Sequence, residues 1–424
     1  MQNAFSEGWW DDFLSRTSGM SEPAIFQECL DRSKTERMRM LVMDIMRDLH
    51  TKHRTKYGYR LWVDGKRATD EEFIFSHAPL ADESLEQWND RVFNEKKFGI
   101  ILNRGEKFND ELSTLVSQAV SPLIKKVGMP TEGLLFTIFI GNYDSTPLGI
   151  HKDLPGKSVM HFHLGPGDKT MYTWDDEEYL SHTKKVHNNT DVQPHLHYAE
   201  KHTFGEGDIY FMPENRFHLG TQSGLSIAIA CWWNNRSNQD FAHGILKMAG
   251  DGLIASSTKM LKADSHDPAD TSALDRTLQL YSAGCDIEKH SFADVLRLTY
   301  LDLRHALFSN GGLRNAPLPQ TEEVEIDEDS IVRIAGHFRM LMRVTPDADK
   351  MLIYVRGSQL EMRNLPSIRR MVDHLNAGDA ISIRKLQEVA DMDVDAVLFL
   401  AKKLIQCKGV HVHLENTPDP LQAH

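Results

Sequence analysis

The sequence is short of cysteine, of long apolar runs and of positive charge, and each shortage removes a class of protein. Its cysteines, Cys29, Cys231, Cys285 and Cys407, are widely separated and form no CxxC pair. Neither a thiolate zinc site nor a disulfide framework is indicated, and a reducing, cytoplasmic setting is expected. No apolar stretch approaches the roughly 18 residues that span a bilayer. The opening MQNAFSEGWWDDF is acidic, where an export signal would be basic and then apolar. Membrane insertion and export are therefore not expected. Lys and Arg number 48 against 61 Asp and Glu, a formal net charge of -13. Holding nucleic acid by bulk electrostatics needs the opposite balance, so nucleic acid is an unexpected partner.

What is present is the composition of a folded globular protein, 41% hydrophobic and 26% charged. At 424 residues the chain exceeds what one ordinary core accommodates, which predicts two or three domains. Residues 1–97 read as a mostly helical segment packing on the rest. Within them TERMRMLVMDIMRDLH (35–50) places Met38, Leu41, Val42, Ile45 and Leu49 on one face. From Phe98 the pattern changes to short apolar and β-branched runs: FGIIL, LLFTIFI, SVMHFHL, KTMYTW, DIYFM and LSIAIACWW, with one helix around Asp110 to Lys126. Short strands punctuated by Gly-Pro-Gly and Gly-Glu-Gly predict a sandwich or jelly roll over 98–236.

Helical spacing returns over 237–345, a linking or dimer-forming segment that makes a homodimer an expected assembly. Residues 346–424 differ again. MLIYVRGSQLEM reads as a hairpin and Pro366 to Asn376 as a helix. Ser382 and Asp393 read as N-caps of helices ending near Ala390 and Gln406, and the strand VHVHL follows Gly409. That order matches a winged-helix module. Its candidate recognition helix, DVDAVLFLAKKLIQ, begins with aspartates and is largely apolar, which suits docking of protein or peptide better than DNA. The expected fold class is α+β: a jelly-roll core, helical N-terminal and linking segments, and a C-terminal winged helix.

The chemistry is concentrated around GIHKD. His151 and Asp153 stand at i and i+2, so an extended segment projects both side chains to one side. His218 follows in GDIYFMPENRFHLG, after a strand and a Pro-containing turn. Two imidazoles and a carboxylate on one side of a metal form the facial triad of non-haem Fe(II) oxygenases, with the opposite positions open. A His-x-Asp triplet alone has an exposed loop pair as its competing explanation, and the surrounding strands and turns are what favour ligation. Other histidines compete for attention: His161 with His163, and His195 with His197, alternate as on a strand. Of the adjacent Trp232 and Trp233, one is expected in the core and the other outside it.

On these motifs, residues 98–236 resemble the JmjC branch of the cupin-type 2-oxoglutarate oxygenases, most nearly the ribosomal oxygenases and more distantly the asparaginyl hydroxylase that acts on hypoxia-inducible factor. The resemblance extends loosely to the helical and winged-helix parts. It implies a double-stranded β-helix core and Fe(II) held by His151, Asp153 and His218, with 2-oxoglutarate and O2 as co-substrates. It further implies that Lys169, in GPGDKTMYTW, binds the distal carboxylate of 2-oxoglutarate, where the competing explanation is a solvated turn lysine. Thr146, of the Thr-Pro pair before the motif, is implied as a second contact to that carboxylate, and His163 is expected to line the pocket. The implied activity is hydroxylation of a residue in a peptide or protein, such as a ribosomal protein or a natural-product precursor peptide. Oxidation of a free amino acid or other small molecule is an alternative. A ligand-sensing winged-helix regulator is an alternative of another class.

Overall fold

The structure is a computed structural model, and it describes residues 3–53, 58–70, 75–185, 187–258, 277, 280 and 290–413. The described strands are β1 (Ala24–Phe26), β2 (Tyr59–Val63), β3 (Lys66–Arg67), β4 (Phe98–Asn103), β5 (Leu134–Gly141), β6 (Lys157–Trp174), β7 (Glu200–Phe204), β8 (Ile209–Met212) and β9 (Phe217–Asn234) in the first part of the chain. They form one antiparallel sheet in the order β1-β8-β6-β9-β5-β4-β2-β3, with β7 beside β6. The remainder holds β10 (Ile331–Ile334), β11 (Leu341–Val344), β12 (Lys350–Val355), β13 (Ser358–Arg363), β14 (Ile381–Ser382) and β15 (Val410–Val412). No helix among the described residues is long and apolar enough to cross a membrane.

Alternation along β5 shows how the sheet divides its two faces. Leu134, Phe136, Ile138 and Ile140 are fully buried in the main apolar core, whereas Leu135, Thr137 and Phe139 line a cavity on the other face. The core face is covered by the helices Glu7–Arg16, Arg32–Asp48 and Asp110–Val127. The second of these starts where the Asp31 side chain accepts from the Lys34 N–H, which satisfies a free donor of the first turn. Met38, Leu41, Val42 and Ile45 form its buried stripe, and each such side chain contributes about 1.5–3 kcal/mol on full burial.

Two strands are long enough to serve both ends of the sheet. β6 and β9 each run for 18 residues and pair along nearly their whole length, with register shifts between His163 and Gly165 and between Pro166 and Asp168. SVMHFHL and KTMYTW, which read as separate strands, are thus one irregular strand. The Gly-Pro-Gly between them marks a bulge and not a turn.

The N-terminal stretch is less helical than its sequence suggests, because β1, β2 and β3 all join the main sheet. β2 pairs with β4, aligning Arg60 with Ile101. Residues 237–345 also differ from the helical expectation. Helices Asn238–Leu253 and Phe292–Ser309 are present and pack through Ile245, Leu303 and Leu307. β10 and β11 follow them, and Val332, Ile334 and Met340 belong to the apolar cluster of the C-terminal part. Strands this short carry too few residues for a period of 2 to stand out. That C-terminal part is built of the sheets β14-β10-β15 and β11-β12-β13 with helices Pro366–Asn376, Ile383–Ala390 and Val394–Gln406. The side chains of Ser382 and Asp393 accept the N-terminal N–H groups of the last two helices.

Candidate metal centre and its cavity

His151 and His218 come together through their own backbones. They form an antiparallel bridge in which each amide donates to the other's carbonyl, at 3.1 and 2.8 Å. Directly opposed residues have neighbouring side chains, and the two rings stand 4.3 Å apart between centroids. The segment before His151 is tied down on both sides. Thr146 N–H donates to Gly220 O at 2.9 Å, and Ile150 exchanges both backbone hydrogen bonds with Asn189 at 2.8 Å. Gly149 takes a positive φ of 67°, and a Cβ there would stand 2.2 Å from Asn189 O. Only glycine lets the chain pass this point.

Each imidazole has one nitrogen committed. His151 Nδ1 lies 2.9 Å from Gly149 O, and His218 Nδ1 lies 3.1 Å from Arg216 O. A ring N–H facing a carbonyl oxygen fixes the tautomer, leaving the Nε2 lone pair as the ligand atom. The third group, Asp153, brings Oδ2 to 3.6 Å from His218 Nε2, and that oxygen is buried without a hydrogen-bond partner. One ligand atom from each of the three residues lies within 4.8 Å of the others. Burial, with His218 beside it, pushes His151 down to about 4, so the ring is neutral and able to coordinate at neutral pH.

The triad opens into a cavity of about 360 Å³. Lys169 and Thr146 line it as well. Lys169, on β6, is 2% exposed, and burial pushes its ammonium down to about 8. Its ammonium has no hydrogen bond or ion pair among the described residues and lies 4.9 Å from the centroid of the Phe139 ring. Thr146 Oγ1 is buried without a partner. A Cβ placed on Gly220 would meet both Lys169 Cε and Thr146 Cγ2 at 3.4 Å, so the two side chains close on the same stretch of β9, two residues beyond His218. A buried cation and a buried hydroxyl, both unpaired, suit an anion entering this end.

His163 corrects an expectation. It does not line the cavity, for its Nε2 lies 2.7 Å from Gly167 O within the bulge of β6, and Phe204 stands edge-on to its ring at 5.3 Å. His161 lines the cavity in its place, 4% exposed and with Nδ1 unpartnered. His195 and His197 lie in a 3-10 turn (Gln193–Tyr198), not on a strand. Trp233 enters the core, while Trp232 faces the cavity. Sequence reading also passed over Arg60, Asn103, Arg104 and Lys157, which complete the wall. No motif marks them, and for Arg60 only the pairing of β2 with β4 brings it near.

No protein-family model matches the chain, and no curated protein matches it. Among solved structures, the chain is similar to the Escherichia coli ribosomal oxygenase YcfD in complex with cobalt and 2-oxoglutarate, at 13% identity and a TM-score of 0.48, over 96% of this chain and 98% of that one. It is similar also to the non-haem α-ketoglutarate-dependent carbocyclase SnoK of nogalamycin biosynthesis, at 13% identity and a TM-score of 0.32, over 59% of this chain and 92% of that one.

Proposed function

We propose that the chain is an Fe(II)- and 2-oxoglutarate-dependent oxygenase that hydroxylates a residue of a peptide or protein, with His151, Asp153 and His218 as the metal ligands. What carries this reading is the meeting, in one cavity, of those three groups with the unpaired ammonium of Lys169. The donor set fits iron: two imidazoles and a carboxylate without thiolate, gathered on one side. Asp153 Oδ2, buried without a partner, is better explained by a cation beside it than by an empty cavity.

Iron with 2-oxoglutarate and O2 would supply the oxidation, one oxygen atom going to the substrate C–H and the other to succinate, with release of CO2. The chain's own contribution is placement. The carbonyls of Gly149 and Arg216 hold the two imidazoles with Nε2 free. Lys169 and Thr146 would bind the far carboxylate of the co-substrate, and the apolar Met171, Met212 and Phe139, which line the same cavity, would exclude water from it.

The same reading takes the bent pair β6 and β9 as the heart of a double-stranded β-helix of the cupin type. It takes the C-terminal hairpin, helices and closing strand as a winged-helix module that grips a protein or peptide partner. It divides the chain at about 97 and 236, with the C-terminal module beginning near 324, where its apolar cluster begins.

The deciding experiment is titration of the purified protein with Mn(II) and then 2-oxoglutarate under nitrogen, followed by admission of oxygen to the Fe(II) form. One metal per chain, metal-dependent 2-oxoglutarate binding and O2-dependent succinate are expected. Binding of 2-oxoglutarate that ignores the metal would overturn the reading.

A further inference from the structure

The cavity carries more positive charge than the chain as a whole would supply. Acidic residues outnumber basic ones in the sequence, 61 to 48, yet the cavity is lined by Arg60, Arg104, Lys157 and Lys169, with Asp153 as its single carboxylate among the described residues. Asp153 belongs with the imidazoles and Lys169 with the co-substrate. The rest of the wall is then positive.

These remaining cations stand apart from Lys169. Lys169 Nζ lies over the ring of Phe139, whereas Lys157 Nζ lies 5.9 Å from the centroid of Trp232. Trp232 is aligned with Leu135, four residues before Phe139 on β5, which separates the two lysines' aromatic supports by about 13 Å along the strand. Arg60 is aligned with Ile101, and Ile101 with Phe139, so it stands two strands away from the ring under Lys169, about 10 Å. A co-substrate anchored on the metal and on Lys169 has both of its ends occupied and leaves this wall free.

The wall is made of donors. Trp232 Nε1–H donates to Thr137 Oγ1, and the Thr137 hydroxyl donates to Asn103 Oδ1, each at 3.1 Å. With its oxygen used, Asn103 has its amide N–H groups to offer. Arg60 and Lys157 have no carboxylate within ion-pairing reach among the described residues, and their contacts are with the rings of Trp62 and Trp232. Burial, with Arg67 nearby, holds Arg60 below the usual arginine range, a penalty that a bound anion relieves. A neutral or cationic substrate would leave these donors desolvated and unmatched, while a carboxylate matches them through charge-assisted hydrogen bonds.

We propose that this wall selects a carboxylate-bearing substrate, an acidic side chain or acidic amino acid held by Arg60, Asn103 and Lys157. The proposal rests on the oxygenase reading for the roles of Asp153 and Lys169. It is tested on the full chain loaded with Mn(II) and 2-oxoglutarate under nitrogen, by calorimetry with capped pentapeptides that differ only in a central Asp, Asn, Glu, Gln or Lys, and with free aspartate and glutamate. The acidic probes should bind at least about tenfold more tightly than their amide counterparts. Arg60→Gln and Lys157→Gln should each reduce that preference to about threefold or less, and Arg60→Lys, which keeps the charge, should retain most of it. Tighter binding of capped peptides than of free acids identifies a peptide source, and the reverse identifies a free amino acid. Equal affinity for acid and amide, a preference for Lys, or no acidic binding up to about 10 mM overturns the proposal. Absence of 2-oxoglutarate binding in the same cell counts against the oxygenase reading instead, and the acid preference is then judged by the same criterion on the metal-free protein.

Discussion

The two large apolar interiors of this chain treat polar groups differently. The C-terminal cluster, built on Val332, Ile353, Leu375, Leu386 and Leu404, is a hydrocarbon core whose buried border cation, Arg356, has a carboxylate beside it. Arg356 at its border, buried, lies 3.3 Å from Asp110 and over the ring of Phe338. The central sheet has an apolar core on one side as well. Its other face collects Thr146 Oγ1, Asp153 Oδ2 and His161 Nδ1, all buried and all without hydrogen-bond partners. A structural core satisfies its polar atoms because each orphan costs about 1–3 kcal/mol. Several orphans on one wall therefore mark a place arranged for something other than the chain itself.

The sharpest way to break this contrast is to remove a proposed metal ligand. His218→Ala or Asp153→Ala should weaken Mn(II) binding by more than about 100-fold, beyond what loss of an outer-shell contact produces, and should abolish iron-dependent succinate formation. In the metal-free protein Asp153→Ala should leave the melting temperature unchanged or raise it, since it deletes an unpaired buried oxygen. A large drop in the apo melting temperature would mean that Asp153 is structural. The opposite behaviour is expected in the C-terminal cluster. Leu404, fully buried, should cost about 2–5 kcal/mol when replaced by alanine, with Mn(II) affinity unchanged. Loss of metal binding in that variant would join the two interiors into one cooperative unit.

Lys169 sharpens the contrast further through pH. Its ordinary value of 10.5 falls to about 8 on burial, so between those values the unfolded chain binds more protons than the folded one. Stability attributable to this residue therefore rises with pH from about 8 to 10.5, and the full penalty, on the order of 3 kcal/mol, is present below about 8. Urea unfolding at pH 7 and pH 10 should show Lys169→Met to be the more stable protein at the lower pH, with the advantage reduced to about 1 kcal/mol or less at the higher. The same substitution should weaken 2-oxoglutarate binding by about 2–5 kcal/mol. A variant no more stable than wild type at pH 7 would mean that the ammonium is already paired.

Much of this was legible because it is written locally. The caps Ser382 and Asp393 act through their own first turns, and the His-x-Asp spacing acts through the two-residue repeat of an extended chain. The meeting of that pair with His218 depended on the strands around it, whose pattern was also readable. What escaped is long-range or irregular. Arg60 sits in a stretch that reads as helical and reaches the cavity only because β2 pairs with β4. His161 and His163 read alike, and the bulge after His163 decides between them by offering the carbonyl of Gly167 to one ring alone. β10 and β11 are four residues each, and a boundary at 346 would strip Val332, Ile334 and Met340 from the cluster they complete.

The bridge between His151 and His218 gives the proposed metal site a mechanical meaning. Since each residue's amide is bonded to the other's carbonyl, parting the two imidazoles and breaking the two hydrogen bonds are one event. A bound ion acts as a rivet through that seam, and the seam cannot open for solvent deuterium until the ion has left. Both amides should therefore exchange faster in the stripped protein and slow together as metal is added, by the factor 1 + [metal]/Kd where opening releases the ion fully. The peptide groups of two ligands thus become a gauge of occupancy that needs neither colour nor turnover.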